Sequence, residues 1–135
     1  MFSTAHLTLA AWCLLAAALL PIASAGIAKS GRFGSAGEDR YDNGSPRAWL
    51  QRQLGWRARA NAAQANGFEN LPLFFGAVLY AQQAGAAQGA VDGLALGYVA
   101  IRVAYLALYL ADRPTLRSLV FSAGLLVNLA IFFVA

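Results

Sequence analysis

Charge is scarce in this sequence. Asp, Glu, Lys and Arg make up 12% of its 135 residues, against roughly 25% in a soluble domain. With 59% hydrophobic residues and a mean hydropathy of +0.54, the composition excludes an ordinary water-dissolved globule and makes lipid the main solvent. Cysteine is scarcer still. Cys13 is alone, which excludes an internal disulfide and a cysteine-based metal site, and its place in an apolar run suits a small buried residue. The one histidine, His6, lies close to a chain end and is assigned no role. A basic stretch interleaved with aromatics is also missing, so the net charge of +4 does not signal a nucleic-acid partner. Four spans of ~20 residues with their loops use up a chain of this length and leave no room for a soluble domain.

What is present is a succession of apolar runs. The first, about 5–28, carries no charge. Its Ala23-Ser24-Ala25 has the small residues of a leader cleavage site, but no Lys or Arg precedes the run and its apolar part exceeds a leader's usual 7–15 residues, so a retained span is expected. Pro21 should kink or loosen its last turns. Residues 29–58 change character, with Lys29, Arg32, Arg40, Arg47, Arg52 and Arg57 mixed with Glu38, Asp39, Asp42 and with Gly31, Gly34, Gly37 and Gly44. That composition predicts a solvated loop. Within it, Ser45-Pro46 suits a helix start, and Trp49 and Trp56, seven apart, are expected on one helical face at headgroup depth. Further spans follow at about 59–84, 90–110 and 115–133, with Asp112-Arg113-Pro114 dividing the last two. The first and third loops hold nearly all the Lys and Arg, and the positive-inside rule puts that face in the cytoplasm and both termini outside it. The expected architecture is all-α, a single integral membrane four-helix bundle over residues 1–135.

Ionisable groups inside spans are costly and need partners. In the second span Arg59, Asn66, Glu69, Asn70 and Leu73 fall within one arc at 100° per residue, and in the third Tyr98, Arg102, Tyr105 and Tyr109 form a stripe spaced four, three and four. Counted from the cytoplasmic ends at 1.5 Å per residue, Glu69 lies ~15 Å deep and Arg102 ~13 Å deep, which predicts an ion pair between them. Asn66 and Tyr105 fall one turn nearer the cytoplasm, and Tyr109, Arg113 and Arg117 line the mouth of a polar cleft. Spacing alone names no ligand. The same residues could serve as polar glue that locks spans together, and Asn128 in the last span reads as such a helix contact.

The residues from Arg59 to Phe74, with Asn66, Glu69 and Pro72 in an N-x-x-E-x-x-P pattern, resemble the second-helix signature of the MAPEG family, the membrane-associated proteins in eicosanoid and glutathione metabolism. The run Arg102, Tyr105, Tyr109, followed by Pro114, Arg117 and Ser118, is similar to that family's third helix and the start of its fourth. The likeness extends from about Arg57 to the chain end, with the flavour of the small bacterial members. It implies a homotrimer in a bacterial inner membrane, with glutathione as co-substrate between neighbouring subunits near the cytoplasmic face. By that resemblance Asn66 and Glu69 would hydrogen-bond the tripeptide, and Tyr105 and Tyr109 would contact its peptide and sulfur region. Arg102 would pair with a carboxylate, of glutathione or of Glu69, and Arg117 or Arg113 would stabilise the thiolate. The implied activity is a transferase or peroxidase acting on lipophilic small molecules delivered from membrane lipid. One position departs from the glutathione-using pattern: an Arg is usual four residues before the motif Asn, and here Ala62 stands there, with Arg59 one turn earlier as its candidate substitute. A non-catalytic protein that binds a lipid or partner in the same cleft is the second reading. A small four-helix drug/proton antiporter is the third, disfavoured because its type needs a Glu in the first span.

Overall fold

The computed structural model describes residues 6–34 and 39–135. Ala5 at the expected start of the first span, and Gly37 and Glu38 in the loop, lie outside them. The described residues form five helices and no strand: α1 (Leu9–Lys29), α2 (Pro46–Gln51), α3 (Gly55–Gln83), α4 (Gln88–Leu110) and α5 (Pro114–Phe133). The four long helices pack on one another, α3 against α1, α4 and α5, and α4 against α1 and α5.

Three of them, α1, α4 and α5, are long and apolar enough to cross a membrane. The chain is thus a helical, multi-pass membrane protein. The longest helix, α3, is not among the three. Its sequence carries Arg57, Arg59, Glu69 and several Asn and Gln residues, and it pairs that polarity with apolar packing on one side. Ala60, Ala63, Phe74, Ala77, Val78 and Ala81 of α3 are buried, whereas Ala65, Phe68, Glu69, Pro72, Gly76, Leu79 and Tyr80 form an exposed stripe.

Small residues set how closely the helices approach. At Gly67 of α3 a Cβ would come within 2.8 Å of Pro21 Cγ on α1, so only glycine fits beneath the proline ring. Pro21 therefore packs against α3 inside a helix that runs unbroken from Leu9 to Lys29, and the expected loosening of its last turns does not occur. The main core lies toward the other end, where Phe74 stacks on Tyr98 at 4.1 Å among Cys13, Ala17, Ala77, Val78, Val91 and Ile131. Such aromatic contacts add about 0.5–1.5 kcal/mol beyond burial.

The loop differs from its expected form. Ser45 and Pro46 do begin a helix, but α2 stops at Gln51 and α3 opens only at Gly55, which takes φ +63. Trp49 and Trp56 consequently share no face. Trp49 is 1% exposed, edge-on to Tyr41 and packed with Ala28 and Ala60, while Trp56 is 42% exposed. A positive-φ break of this kind suits glycine, which has no Cβ to clash.

Candidate functional site

The helix termini explain several charged residues first. The last four carbonyls of a helix lack intrahelical donors and carry the negative end of its dipole. At one end of the molecule Arg57 Nη1 donates to the carbonyls of Ala28 (2.9 Å) and Ser30 (2.6 Å), closing the C-terminus of α1. Arg59 does the same for α4, with Nε and Nη2 both donating to the Leu110 carbonyl at 3.2 and 3.1 Å. Two residues apart on α3, these arginines reach opposite neighbours. Arg59 thus sits at the end of α4 with its donors engaged, away from the Asn66 side chain beside which it was expected to stand in for the Arg that Ala62 replaces.

Deeper along α3 and α4 the predicted stripes do meet, with a different pairing. Arg102 is 7% exposed and its Nη2 donates to Asn66 Oδ1 at 2.8 Å. The expected Glu69–Arg102 ion pair is absent: Arg102 takes the neutral amide as its acceptor, and Glu69 lies exposed on the outer stripe of α3, without a hydrogen bond or ion pair among the described residues. The reason is angular. Glu69 is three residues from Asn66, about 300° around the helix, which carries it to the edge of the contact with α4. Asn70, one full turn on, donates from Nδ2 to both the Asn66 carbonyl (2.7 Å) and Oδ1 (3.2 Å) and so fixes the amide that receives Arg102.

From Arg102 a ladder of contacts runs to the end of α4. The guanidinium lies 4.2 Å from the Tyr105 ring centroid, Tyr105 meets Tyr109 edge-to-face at 5.6 Å, and Arg117 of α5 lies 4.3 Å over Tyr109. Tyr105 is buried and also touches Phe121. Five side chains from three helices therefore form one polar column, Asn66–Arg102–Tyr105–Tyr109–Arg117, that begins inside the protein and opens at the end where Arg57 and Arg59 lie. Arg113 is exposed there, at the residue before α5, and its side chain is not part of the column. Beside the column a cavity of about 20 Å³, bounded by Ser24, Gly67, Tyr98, Arg102 and Tyr105, has room for a single water.

Reasoning from spacing missed Asp92. It lies at the far end of α4 and accepts from the Ala10 amide of α1 at 2.8 Å and from Gln88 Nε2 at 2.7 Å, while Gln82 donates to Gln88 at 2.9 Å. The carboxylate thereby caps a neighbouring helix, complementing Thr8, whose hydroxyl accepts from the Ala11 amide. A lone carboxylate one turn into an apolar helix was the available signal. Asn128 is buried beside Tyr98, a helix contact as expected.

In comparison with known proteins, the chain matches the model of the MAPEG family over residues 9–135. Neither the curated proteins nor the solved structures hold a match to it.

Proposed function

The chain belongs to the MAPEG family, and from that premise we propose that it is a membrane-embedded, glutathione-dependent transferase or peroxidase-like enzyme acting on lipophilic electrophiles or hydroperoxides. It is a membrane protein of the glutathione and eicosanoid metabolism superfamily. The observation that carries the specific reading is the column joining Asn66 to Arg117, a run of donors, cations and ring faces that exceeds what joining three helices requires.

In this reading α3 is the fourth span, and nine of the ten Lys and Arg residues gather at the end that faces the cytoplasm. The exposed stripe on α3 is then covered by another copy in a homotrimer. A carboxylate such as Glu69 left against hydrocarbon costs several kcal/mol, and an intersubunit cleft removes that cost by supplying a cationic partner, the amino group of glutathione. Asn66 and Arg102 bind the peptide and a carboxylate, and Tyr105 and Tyr109 line the path to the sulfur. Arg117, aided by Arg113, draws the thiol toward thiolate at the mouth, since a neighbouring cation stabilises the charged form. In conjugation the thiolate forms a C–S bond to the electrophilic carbon as its leaving group departs with the bonding pair, and the thiol proton passes to water. Arg59, the candidate substitute for the Arg that Ala62 replaces, has a smaller part in this reading, because its Nε and Nη2 already close α4.

The assay is conjugation of glutathione to an aryl halide by the detergent-purified chain. Turnover that falls about 100-fold or more in Arg117→Ala, a loss of the size seen when a charge-stabilising group is removed, supports the proposal. Absence of both conjugation and hydroperoxide reduction would favour the second reading, a non-catalytic relative that binds a lipid in the same cleft.

A further inference from the structure

At the basic end of the molecule, on the α1 side and away from the column, a second cavity of about 550 Å³ lies between the loop after α1, α2 and the start of α3. Among the described residues Arg32, Arg52 and Arg57 line it with Trp56, Gln53 and Asp39. Asp39 lies 3.9 Å from Arg32 and pairs with it, which leaves Arg52 and Arg57 as the cations that carry the site. Arg57 is held rigidly by the Ala28 and Ser30 carbonyls and lies 4.2 Å from the Trp56 ring. Closing α1 alone therefore accounts for Arg57. It does not account for Arg52, whose side chain makes no hydrogen bond or ion pair among the described residues. On the rim Leu54 is 84% exposed and Trp56 42% exposed, an apolar edge directly beside the guanidiniums.

We propose that this cavity binds the headgroup of an anionic phospholipid of the phosphatidylglycerol type. The volume falls in the range of small-molecule sites, and basic pockets at the cytoplasmic ends of membrane helices suit anionic headgroups. The guanidiniums of Arg52 and Arg57, outside the Arg32–Asp39 pair, favour a headgroup with net negative charge over a zwitterion. The level of the cavity, between the last residue of α1 and the first of α3, is the level of lipid phosphates if α1 crosses the bilayer as its length and apolarity allow. The exposed Leu54 and Trp56 give the acyl chains an apolar exit, where a soluble anion would gain nothing, and the indole suits the interface. Asp39 and the Gln53 carbonyl offer acceptors to headgroup hydroxyls. The inference does not depend on glutathione being the substrate.

Native mass spectrometry of the full chain released from detergent tests it, with phosphatidylglycerol, phosphatidylcholine and inorganic phosphate as probes. One phosphatidylglycerol per chain is expected to survive release, with phosphatidylcholine bound at least fivefold more weakly. Arg52→Gln, an exposed change that leaves the helices intact, should weaken binding about fivefold, the worth of one cation near an anionic headgroup. Arg47→Gln removes the same charge from α2 outside the cavity and should leave binding unchanged. Equal binding of the two lipids, or equal losses in the Arg47 and Arg52 variants, would overturn a defined site in favour of diffuse attraction. Displacement of phosphatidylglycerol by millimolar inorganic phosphate would overturn the lipid assignment.

Discussion

The two ends of the helix assembly solve the same electrostatic problem with opposite charges. At one end Arg57 and Arg59 donate to the carbonyl termini of α1 and α4; at the other Asp92 accepts from the amide terminus of α1. Each charge sits where the helix dipole favours it, and each bridges two helices, so all three are explained by folding. The column between them is different. Asn66, Arg102, Tyr105, Tyr109 and Arg117 cap no helix, and Glu69 beside them has no partner within the described residues. Charges that the fold accounts for can thus be separated from charges that it does not, and the latter point to function.

The comparison breaks most severely at Asn66. Asn66→Leu strips the acceptor from a buried guanidinium, and stability should fall by about 3 kcal/mol, the cost of orphaning a buried charge; thermal melting in detergent with a size-exclusion profile would register it. Gly67→Ala comes next. The new methyl would press on Pro21 and separate α1 from α3, costing about 1–2 kcal/mol by overpacking, visible as a lower Tm without loss of the Asn66–Arg102 bond. Asp92→Ala should cost about 1 kcal/mol, the usual value of a helix N-cap, and hydrogen exchange should quicken at Ala10 while the column stays protected. The smallest effect is a gain. Asp112 holds φ +57, a conformation that glycine adopts without strain, and Asp112→Gly should raise stability by about 0.5–1 kcal/mol in the same melting assay.

How far the sequence reached depends on periodicity. The stripes on α3 and α4 were legible because helical spacing is regular, and Asn66, Arg102, Tyr105 and Tyr109 do lie together, joined by Arg117 across the α4–α5 turn. Which atom pairs with which was not legible, because an arc of about 100° is wider than the contact with α4 and spacing does not say which part of it faces the neighbour. Glu69 matched Arg102 in depth and still lies off the contact. Spacing on α3 offers Arg59 to fill the gap at Ala62, but the Leu110 carbonyl at the end of α4 engages that arginine, and no pattern in α3 alone reveals it. The Trp49–Trp56 face failed for a related reason, since α2 stops at Gln51 and the chain resumes as α3 at Gly55, whose φ is positive.

The central claim, that the column and Glu69 recognise glutathione and do not merely join helices, is tested by melting the detergent-purified chain with increasing glutathione, beside Glu69→Gln and Arg117→Gln. Both variants should melt near the parent without ligand, since neither side chain bears a hydrogen bond among the described residues, and glutathione should raise only the parent's Tm. At 100 times the Kd the stabilisation should reach about 2.7 kcal/mol. No rise in the parent at millimolar glutathione, or an equal rise in both variants, would contradict it.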